Sequence, residues 1–205
     1  MARPPRISRR GTLMAGILLG WASALIAVAA AIALVARFGL YNMTALSPHL
    51  RPVGWMIHTT MVNAVRNGAR NMRAPATFAK EDVQQGFRLY EAHCFACHGG
   101  PGLPRAQWVS GLTPTPPYLL DAARKWSPAE LRFIVGKGVK MTGMPAWRLT
   151  LSERDLWRLV AFLQELPKLS QRDYLAMRAG ALQVRAGMVS PNCGSSTCRQ
   201  NEMRQ

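Results

Sequence analysis

The segment "LYEAHCFACHGGPG", residues 89–102, places three strong metal ligands within five residues. These ligands are Cys94, Cys97 and His98. A structural zinc site closes four ligands, and a thioredoxin-like dithiol expects a βαβ pattern around it. The next cysteines, Cys193 and Cys198, lie about a hundred residues away, and no alternating strand pattern surrounds the motif. The spacing Cys-x-x-Cys-His therefore favours covalent attachment of a haem over a zinc site or a dithiol.

The spacing of the motif matches what haem attachment requires. Two thiols add to the two vinyl groups of the haem, and the residue that follows must then place an imidazole on the iron. We therefore expect one covalently attached haem c in this chain.

The charge of the chain is concentrated outside the segment that carries the motif. The 205 residues have a formal net charge of +16. Residues 1–10 hold four Arg without an acid, and residues 37–79 hold five basic residues without an acid. Residues 80–167 hold 11 basic and 8 acidic residues, so the best candidate for a folded domain is nearly balanced. Since no recognition-helix or zinc-finger pattern accompanies the excess, we expect no nucleic-acid partner.

An uncharged stretch of 26 residues lies between Arg10 and Arg37. A helix that crosses a bilayer needs about 20 apolar residues, whereas the core of a signal peptide has about 7–15. The length therefore predicts a transmembrane anchor over residues 12–36. "AIA" at 31–33 leaves a cleaved signal peptide as the alternative.

Flanking charge predicts the orientation of this anchor. Four arginines precede the span, and only Arg37 and Arg51 follow it closely. By the positive-inside rule, residues 1–11 lie in the cytoplasm and the rest of the chain lies outside. We expect a single-pass protein of the bacterial cytoplasmic membrane, held by the lipid bilayer, with its haem on the periplasmic side.

Three regions follow the anchor. Residues 37–79 are predicted to be a periplasmic connector with an amphipathic helix, which lies on the membrane, packs on a partner or acts as a spacer. Residues 80–167 are predicted to be the folded domain. Residues 168–205 are a polar tail with a weak helix at about 171–186, and a local Cys193–Cys198 disulfide is expected in an oxidising compartment.

The folded domain is predicted to be all-α, with three or four helices. Val83, Phe87 and Tyr90 share one helical face. Ser127 opens a second helix through a capping box, and Ser152 opens a third with a buried leucine-rich stripe. The Pro- and Gly-rich loop 99–117 is longer than a simple connection between two helices, and we expect it to wrap around another group. A domain this small buries little apolar surface, and a covalent haem would supply the missing core.

The sequence resembles the class I monohaem c-type cytochromes of bacteria, in a membrane-anchored form. The resemblance covers about residues 83–166 and rests on "GFRLYEAHCFACHG", "GVKMTGMPAW" and "DLWRLVAFLQEL". It implies a small cytochrome fold in which three or four helices surround one covalently bound haem. In that family the haem is attached outside the cytoplasmic membrane, in agreement with the orientation predicted from charge.

The resemblance also implies a role for individual residues. Cys94 and Cys97 form the thioethers, and His98 is the proximal ligand of the iron. Met144 in "TGMPAW" is the distal ligand, with Met141 as its rival. The carbonyl of Pro117, with Pro116 as the alternative, accepts a hydrogen bond from the His98 imidazole. The first and last helices cross through a glycine and aromatic residues, namely Gly86 and Tyr90 against Trp157 and Phe162.

His/Met ligation fills both axial positions of the iron, so we expect one-electron transfer and not catalysis. The expected partners are membrane-embedded or periplasmic redox proteins, which dock on a ring of exposed cations formed by Lys125, Lys137, Lys140 and Arg148. One alternative is a haem sensor or peroxidase-like enzyme with a labile Met144. The other is a fixed electron-transfer subunit of a dehydrogenase or a terminal oxidase, which the long connector favours. His49, His58 and His93 are expected at the surface or facing a partner.

Overall fold

The computed structural model describes residues 9–188, and Cys193 and Cys198 lie outside this range. Within it the chain forms α-helices and short 3₁₀ turns but no β-strand, which confirms the all-α prediction for the described residues. The 3₁₀ turns are Gln107–Gly111, Leu119–Asp121, Trp147–Leu149 and Leu166–Lys168. The α-helices are α1 (Arg9–Phe38), α2 (Arg51–Ala69), α3 (Lys80–His93), α4 (Phe95–His98), α5 (Ala122–Lys125), α6 (Pro128–Lys137), α7 (Glu153–Glu165) and α8 (Gln171–Met188). The chain divides into two compact units, Met1–Ser47 and Pro48–Gln205.

The first unit contains α1, which is a candidate membrane span. Residues Gly11–Phe38 are long and apolar enough to cross a bilayer, although a signal sequence meets the same criteria. Its apolar side chains are exposed: Leu19 is 71% exposed and Ile26 is 70% exposed. Such a helix is stable in lipid because all its backbone hydrogen bonds are internal. The predicted range 12–36 lies within this helix.

The core of the second unit lies between α3 and α7. The predicted face of α3 is confirmed, since Phe87 and Tyr90 are buried and Val83 packs beside them. The α7 stripe is confirmed as well, and its buried members are Leu156, Leu159, Val160 and Leu163. The Phe87 and Phe162 rings meet edge to face, with centroids 5.4 Å apart. Helix α6 closes the core with Leu131 and Val135, and its capping box at Ser127 is present.

Helix α2 belongs to this second unit because its C-terminal half packs on α6. Val65 and Ala69 are buried. A Cβ atom on Gly68 would lie 2.2 Å from the Phe133 ring, so the two helices approach closely at this point. Gly68, one residue before the end of α2, therefore permits this close packing. The connector at 37–79 differs from the prediction to this extent, since its helix is fixed to the folded domain.

Helix α8 is also part of the folded unit, although the sequence placed it in a polar tail beginning at residue 168. Its Tyr174 is fully buried, with its ring centroid 5.4 Å from that of Phe87. The Tyr174 hydroxyl donates a hydrogen bond to Glu91, and Arg178 donates another to the same carboxylate at 2.6 Å. The helix begins at Gln171, in agreement with the predicted range, and the hydroxyl of the preceding Ser170 accepts from the Asp173 amide at 3.2 Å. One buried aromatic ring and one shared carboxylate therefore extend the domain beyond residue 167.

Tyr174→Phe tests the polar part of this attachment. The substitution keeps the buried ring but removes the donor to Glu91, which retains Arg178. We expect the free energy of unfolding to fall by about 1–2 kcal/mol, the usual cost of losing a partly buried hydrogen bond. Denaturant unfolding of the holoprotein in detergent measures this, with Tyr118→Phe as the control, because that half-exposed hydroxyl forms no hydrogen bond with any described residue. Equal midpoints for the two variants would contradict the expectation.

Candidate haem-attachment site

The Cys-x-x-Cys-His segment folds as one helical turn directly after α3. Cys94 ends α3, and Phe95–His98 form α4. The amides of Cys97 and His98 both donate to the carbonyl of Cys94, at 3.1 and 2.9 Å. This turn fixes both thiols and the imidazole with respect to one another. The two cysteines are not joined to each other, and burial together with the neighbouring Cys97 raises the pKa of the Cys94 thiol to about 12.

The imidazole of His98 is buried and held by the carbonyl of Pro117. The distance from Nδ1 to the Pro117 oxygen is 2.7 Å. A carbonyl oxygen only accepts hydrogen bonds, so Nδ1 carries the proton and Nε2 has a free lone pair. Burial lowers the pKa of His98 despite the bond to Pro117, and the positive charge of Arg105 lowers it further. The ring is therefore held neutral, which is the form that binds a metal.

Arg105 fixes the segment that carries this carbonyl. Its guanidinium donates a hydrogen bond to the carbonyl of Pro116. The same guanidinium lies over the Tyr118 ring, 4.2 Å from the centroid. Both neighbours of Pro117 are thus held by one side chain. Pro116, the alternative acceptor for His98, is engaged by Arg105 and not by the imidazole.

The other side of the turn is held by Tyr90 and Gly99. The buried Tyr90 hydroxyl donates to the Gly99 carbonyl at 2.6 Å. Burial and the nearby Cys94 and Glu91 raise the pKa of Tyr90 above its usual value, so the hydroxyl keeps its proton and remains a donor. Gly99 has φ of 66°, a conformation that favours glycine, and a Cβ there would lie 2.8 Å from the Leu103 carbonyl oxygen. The chain therefore turns sharply after His98 and enters the loop with Arg105.

The loop after α6 presents Met144. Helix α6 ends at Gly138, and the Val139 amide donates to the Met144 carbonyl at 3.3 Å, which closes a short loop. The Thr142 hydroxyl bridges this loop, since it donates to the Val139 carbonyl at 2.7 Å and accepts from the Met144 amide at 3.1 Å. Met144 is half-buried and packs on the core, whereas Met141 is 65% exposed. Met144 is therefore the more buried of the two methionines.

These residues form a donor set that fits haem c. They offer two unjoined thiols on one turn, a neutral imidazole with a free Nε2 and a half-buried thioether on a separate loop. The loop 99–117 approaches the methionine loop, because a Cβ on Gly143 would lie 3.3 Å from a Leu112 methyl group. Among residues 9–188, no group of three or more His, Cys, Asp or Glu side chains is placed to hold a metal ion.

Residues 81–163 match the family described as "Cytochrome C oxidase, cbb3-type, subunit III". This segment is a c-type cytochrome domain. The match agrees with the resemblance drawn from the motifs, and the Cys-x-x-Cys-His turn lies within the matched residues. No curated protein matches the chain.

The structure brings His98 and Pro117 together, as the resemblance implied, and places Gly86 and Tyr90 against Phe162. Trp157 is half-buried against the same core, with its ring centroid 6.5 Å from that of Phe78. The sequence did not single out Arg105. It is a lone cation in a Pro- and Gly-rich loop, and no local pattern indicates which carbonyl it reaches. Of the histidines outside the site, His58 and His93 are exposed, as expected.

Arg105→Lys tests whether this side chain positions the His98 imidazole. Lysine keeps the charge but loses the planar contact with Tyr118 and the fixed bond to Pro116. When the Pro117 carbonyl is held less firmly, its hydrogen bond with His98 Nδ1 weakens and the imidazole becomes a weaker base. We therefore expect the reduction potential to rise by on the order of tens of millivolts. Redox titration measures the potential, and proton NMR measures how fast the His98 Nδ1 proton exchanges with solvent. An unchanged potential and exchange rate would contradict the role.

Proposed function

We propose that the chain is a membrane-anchored electron carrier with one His/Met-ligated haem c. The observation that carries the proposal is the His98–Pro117 hydrogen bond, which orients a neutral imidazole next to two free thiols on the same turn. A c-type cytochrome domain supports haem-based electron transfer in general. The ligand assignment, the covalent attachment and the partners are part of the proposal.

In this proposal each residue of the site has a defined role. Cys94 and Cys97 would hold the haem through thioether bonds, and His98 and Met144 would be the ligands of its iron. The haem would supply a one-electron Fe(III)/Fe(II) couple whose potential a thioether ligand raises. Pro117 keeps the imidazole in one orientation and one tautomer. With both His98 and Met144 on the iron, substrate would have no access to it, and the chain would act as a carrier and not as an enzyme.

The membrane location is a further part of the proposal. Helix α1 would anchor the chain in the bacterial cytoplasmic membrane with its N-terminus in the cytoplasm. The apolar, uncovered surface of α1 and the arginines that precede it support this orientation. The haem domain would then lie on the periplasmic side and exchange electrons with membrane-embedded or periplasmic proteins.

A visible absorption spectrum of the detergent-purified protein tests the ligand assignment. The spectrum is recorded for the oxidised protein, the reduced protein and the reduced protein with carbon monoxide. We expect a low-spin c-type spectrum that carbon monoxide does not change. A high-spin spectrum, or ready binding of carbon monoxide, would instead favour the sensor or peroxidase-like alternative with a labile Met144.

A second candidate is a fixed electron-transfer subunit of a larger complex. The family description, which names a subunit of a cbb3-type cytochrome c oxidase, supports it. The helix of the connector, which is part of the folded unit, also gives the domain a surface beyond the segment that matches the family. Extraction of native membranes in mild detergent separates the two candidates: a subunit elutes with stoichiometric partner proteins, and a carrier elutes alone.

Charge reversal tests the proposed docking ring. Lys125, Lys137, Lys140 and Arg148 are all exposed. Replacing all four with Glu should slow electron delivery from an acidic redox partner by about tenfold or more at low salt, because electrostatic steering raises association rates by about 10–10³. Stopped-flow kinetics over a range of ionic strengths measures the effect. The matched control reverses Lys80, Arg88, Arg154 and Arg172, which are exposed on other elements. Equal rates and equal salt dependence in the two variants would dismiss the ring.

A further inference from the structure

The outer side of α2 carries exposed apolar and cationic side chains together. Trp55 is 70% exposed and Met56 is 55% exposed. Arg66 and Arg70 are exposed near the other end of the helix. Residues three or four apart are neighbours on a helix surface, so one face carries Trp55, Thr59, Asn63, Arg66 and Arg70. None of these side chains is buried against the cytochrome domain.

The opposite side of α2 packs on the folded domain. Val65 and Ala69 are buried, and Gly68 lies against the Phe133 ring of α6. This attachment is confined to the C-terminal half of the helix. The N-terminal half, with Leu50 just before it at 63% exposure, therefore presents large apolar side chains that no described part of the chain covers.

The segment that carries this face has charges of one sign. Residues 38–80 contain four Arg and one Lys but no Asp or Glu. An exposed Trp next to uncompensated arginines is typical of helices that lie at a membrane interface, where the indole sits at headgroup level and the arginines meet anionic lipids. Trp, Met and Arg are also enriched at protein interfaces, so a protein partner is the alternative that the experiment below has to separate from lipid.

The length of the chain brings this face close to lipid. Only residues 39–50 separate the end of α1 from the start of α2. An extended chain of that length reaches at most about 40 Å, at about 3.3–3.6 Å per residue. With α1 in the bilayer, as proposed above, α2 begins within that distance of the membrane surface.

We propose that the outer face of α2 binds the surface of an anionic bilayer, with Trp55 and Met56 inserted among the lipids and Arg66 and Arg70 on the phosphates. Since α2 is fixed to α6, this contact holds the cytochrome domain at the membrane surface and restricts its reach to partners there. The inference rests on the membrane location proposed above and does not depend on the axial ligands of the iron.

Hydroxyl-radical footprinting of the full-length holoprotein in vesicles tests the contact. The vesicles contain phosphatidylcholine alone or phosphatidylcholine with phosphatidylglycerol, and mass spectrometry reports the oxidation of each side chain. Trp108 and Met141 are matched internal controls, because they are 60% and 65% exposed on the cytochrome domain. In anionic vesicles we expect oxidation of Trp55 and Met56 to be about fivefold slower than that of the two controls, as for side chains at the acyl boundary.

Charge variants and flotation separate the ways in which the proposal can fail. Arg66→Glu with Arg70→Glu should remove the additional protection in anionic vesicles, whereas Arg88→Glu with Arg172→Glu, an equal change on α3 and α8, should keep it. Protein that does not float with either vesicle lacks the α1 anchor. Protein that floats but oxidises Trp55 as fast as Trp108 has its anchor and overturns the α2 contact. Protection of Trp55 only in native membranes that contain a second protein would also overturn it, in favour of a protein partner.

Discussion

Met144→Ala is expected to convert a low-spin cytochrome into a high-spin form that binds carbon monoxide when reduced. The variant loses the thioether that the proposal places on the iron, and it retains His98. The reduction potential should fall by on the order of a few hundred millivolts, within the range of about 0.8 V that axial ligands set. Absorption spectra with and without carbon monoxide, together with a redox titration, measure both effects.

Met141→Ala is the matched control, because it removes a thioether from the same loop. Met141 is 65% exposed, whereas Met144 is half-buried against the core. We expect its spectrum and potential to match those of the parent protein. If Met141→Ala gave the high-spin spectrum and Met144→Ala did not, Met141 would be the distal ligand. If neither variant changed, the sixth ligand would have to come from another part of the chain.

Gly86→Ala is expected to lower the stability of the cytochrome domain strongly, because the added methyl group has no space. A Cβ on Gly86 would lie 1.9 Å from the carbonyl oxygen of Arg158 and 2.9 Å from Cβ of Phe162. The first of these atoms belongs to the backbone of α7, so the two helices have to separate. We expect a loss of about 3 kcal/mol in the free energy of unfolding, at the upper end of the usual cost of overpacking.

Denaturant unfolding of the holoprotein measures this loss, with Gly180→Ala as the control. Gly180 is also in a helix, but no atom lies within 4 Å of the position its Cβ would take. That substitution should therefore leave stability unchanged or raise it by up to about 1 kcal/mol, the difference in helix propensity between Ala and Gly. Equal unfolding midpoints for the two variants would show that the α3–α7 crossing tolerates a side chain and that the contact does not fix the core.

The docking of α2 and α8 enlarges the domain on both sides of the segment that matches the family. Residues 81–163 contain the haem-attachment turn and the methionine loop. Tyr174 and Arg178 of α8 reach the helix before the turn, and the Arg178 guanidinium lies 4.1 Å from the centroid of the Phe95 ring inside it. The attachment turn is therefore supported by residues that lie outside the matched segment.

Local sequence determined a large part of this protein. The spacing of Cys94, Cys97 and His98 places two thiols and an imidazole on one helical turn. The capping residues Ser127 and Ser152 mark the starts of α6 and α7, and helical periodicity identifies Phe87 and Tyr90 as core. These features were predictable because each depends on residues within three or four positions of one another, where backbone geometry alone sets the distances.

Only the tertiary structure decided which distant groups meet. His98 reaches the carbonyl of Pro117 while Arg105 takes that of Pro116, a choice between adjacent prolines that no local pattern makes. Burial on the core distinguishes Met144 from Met141 three residues earlier. The weak helix at the start of the polar tail became part of the core because one of its residues, Tyr174, fills a space between α3 and α7. Such contacts depend on how separate surfaces fit together, and one buried ring or one shared carbonyl has no periodicity by which the sequence could reveal it.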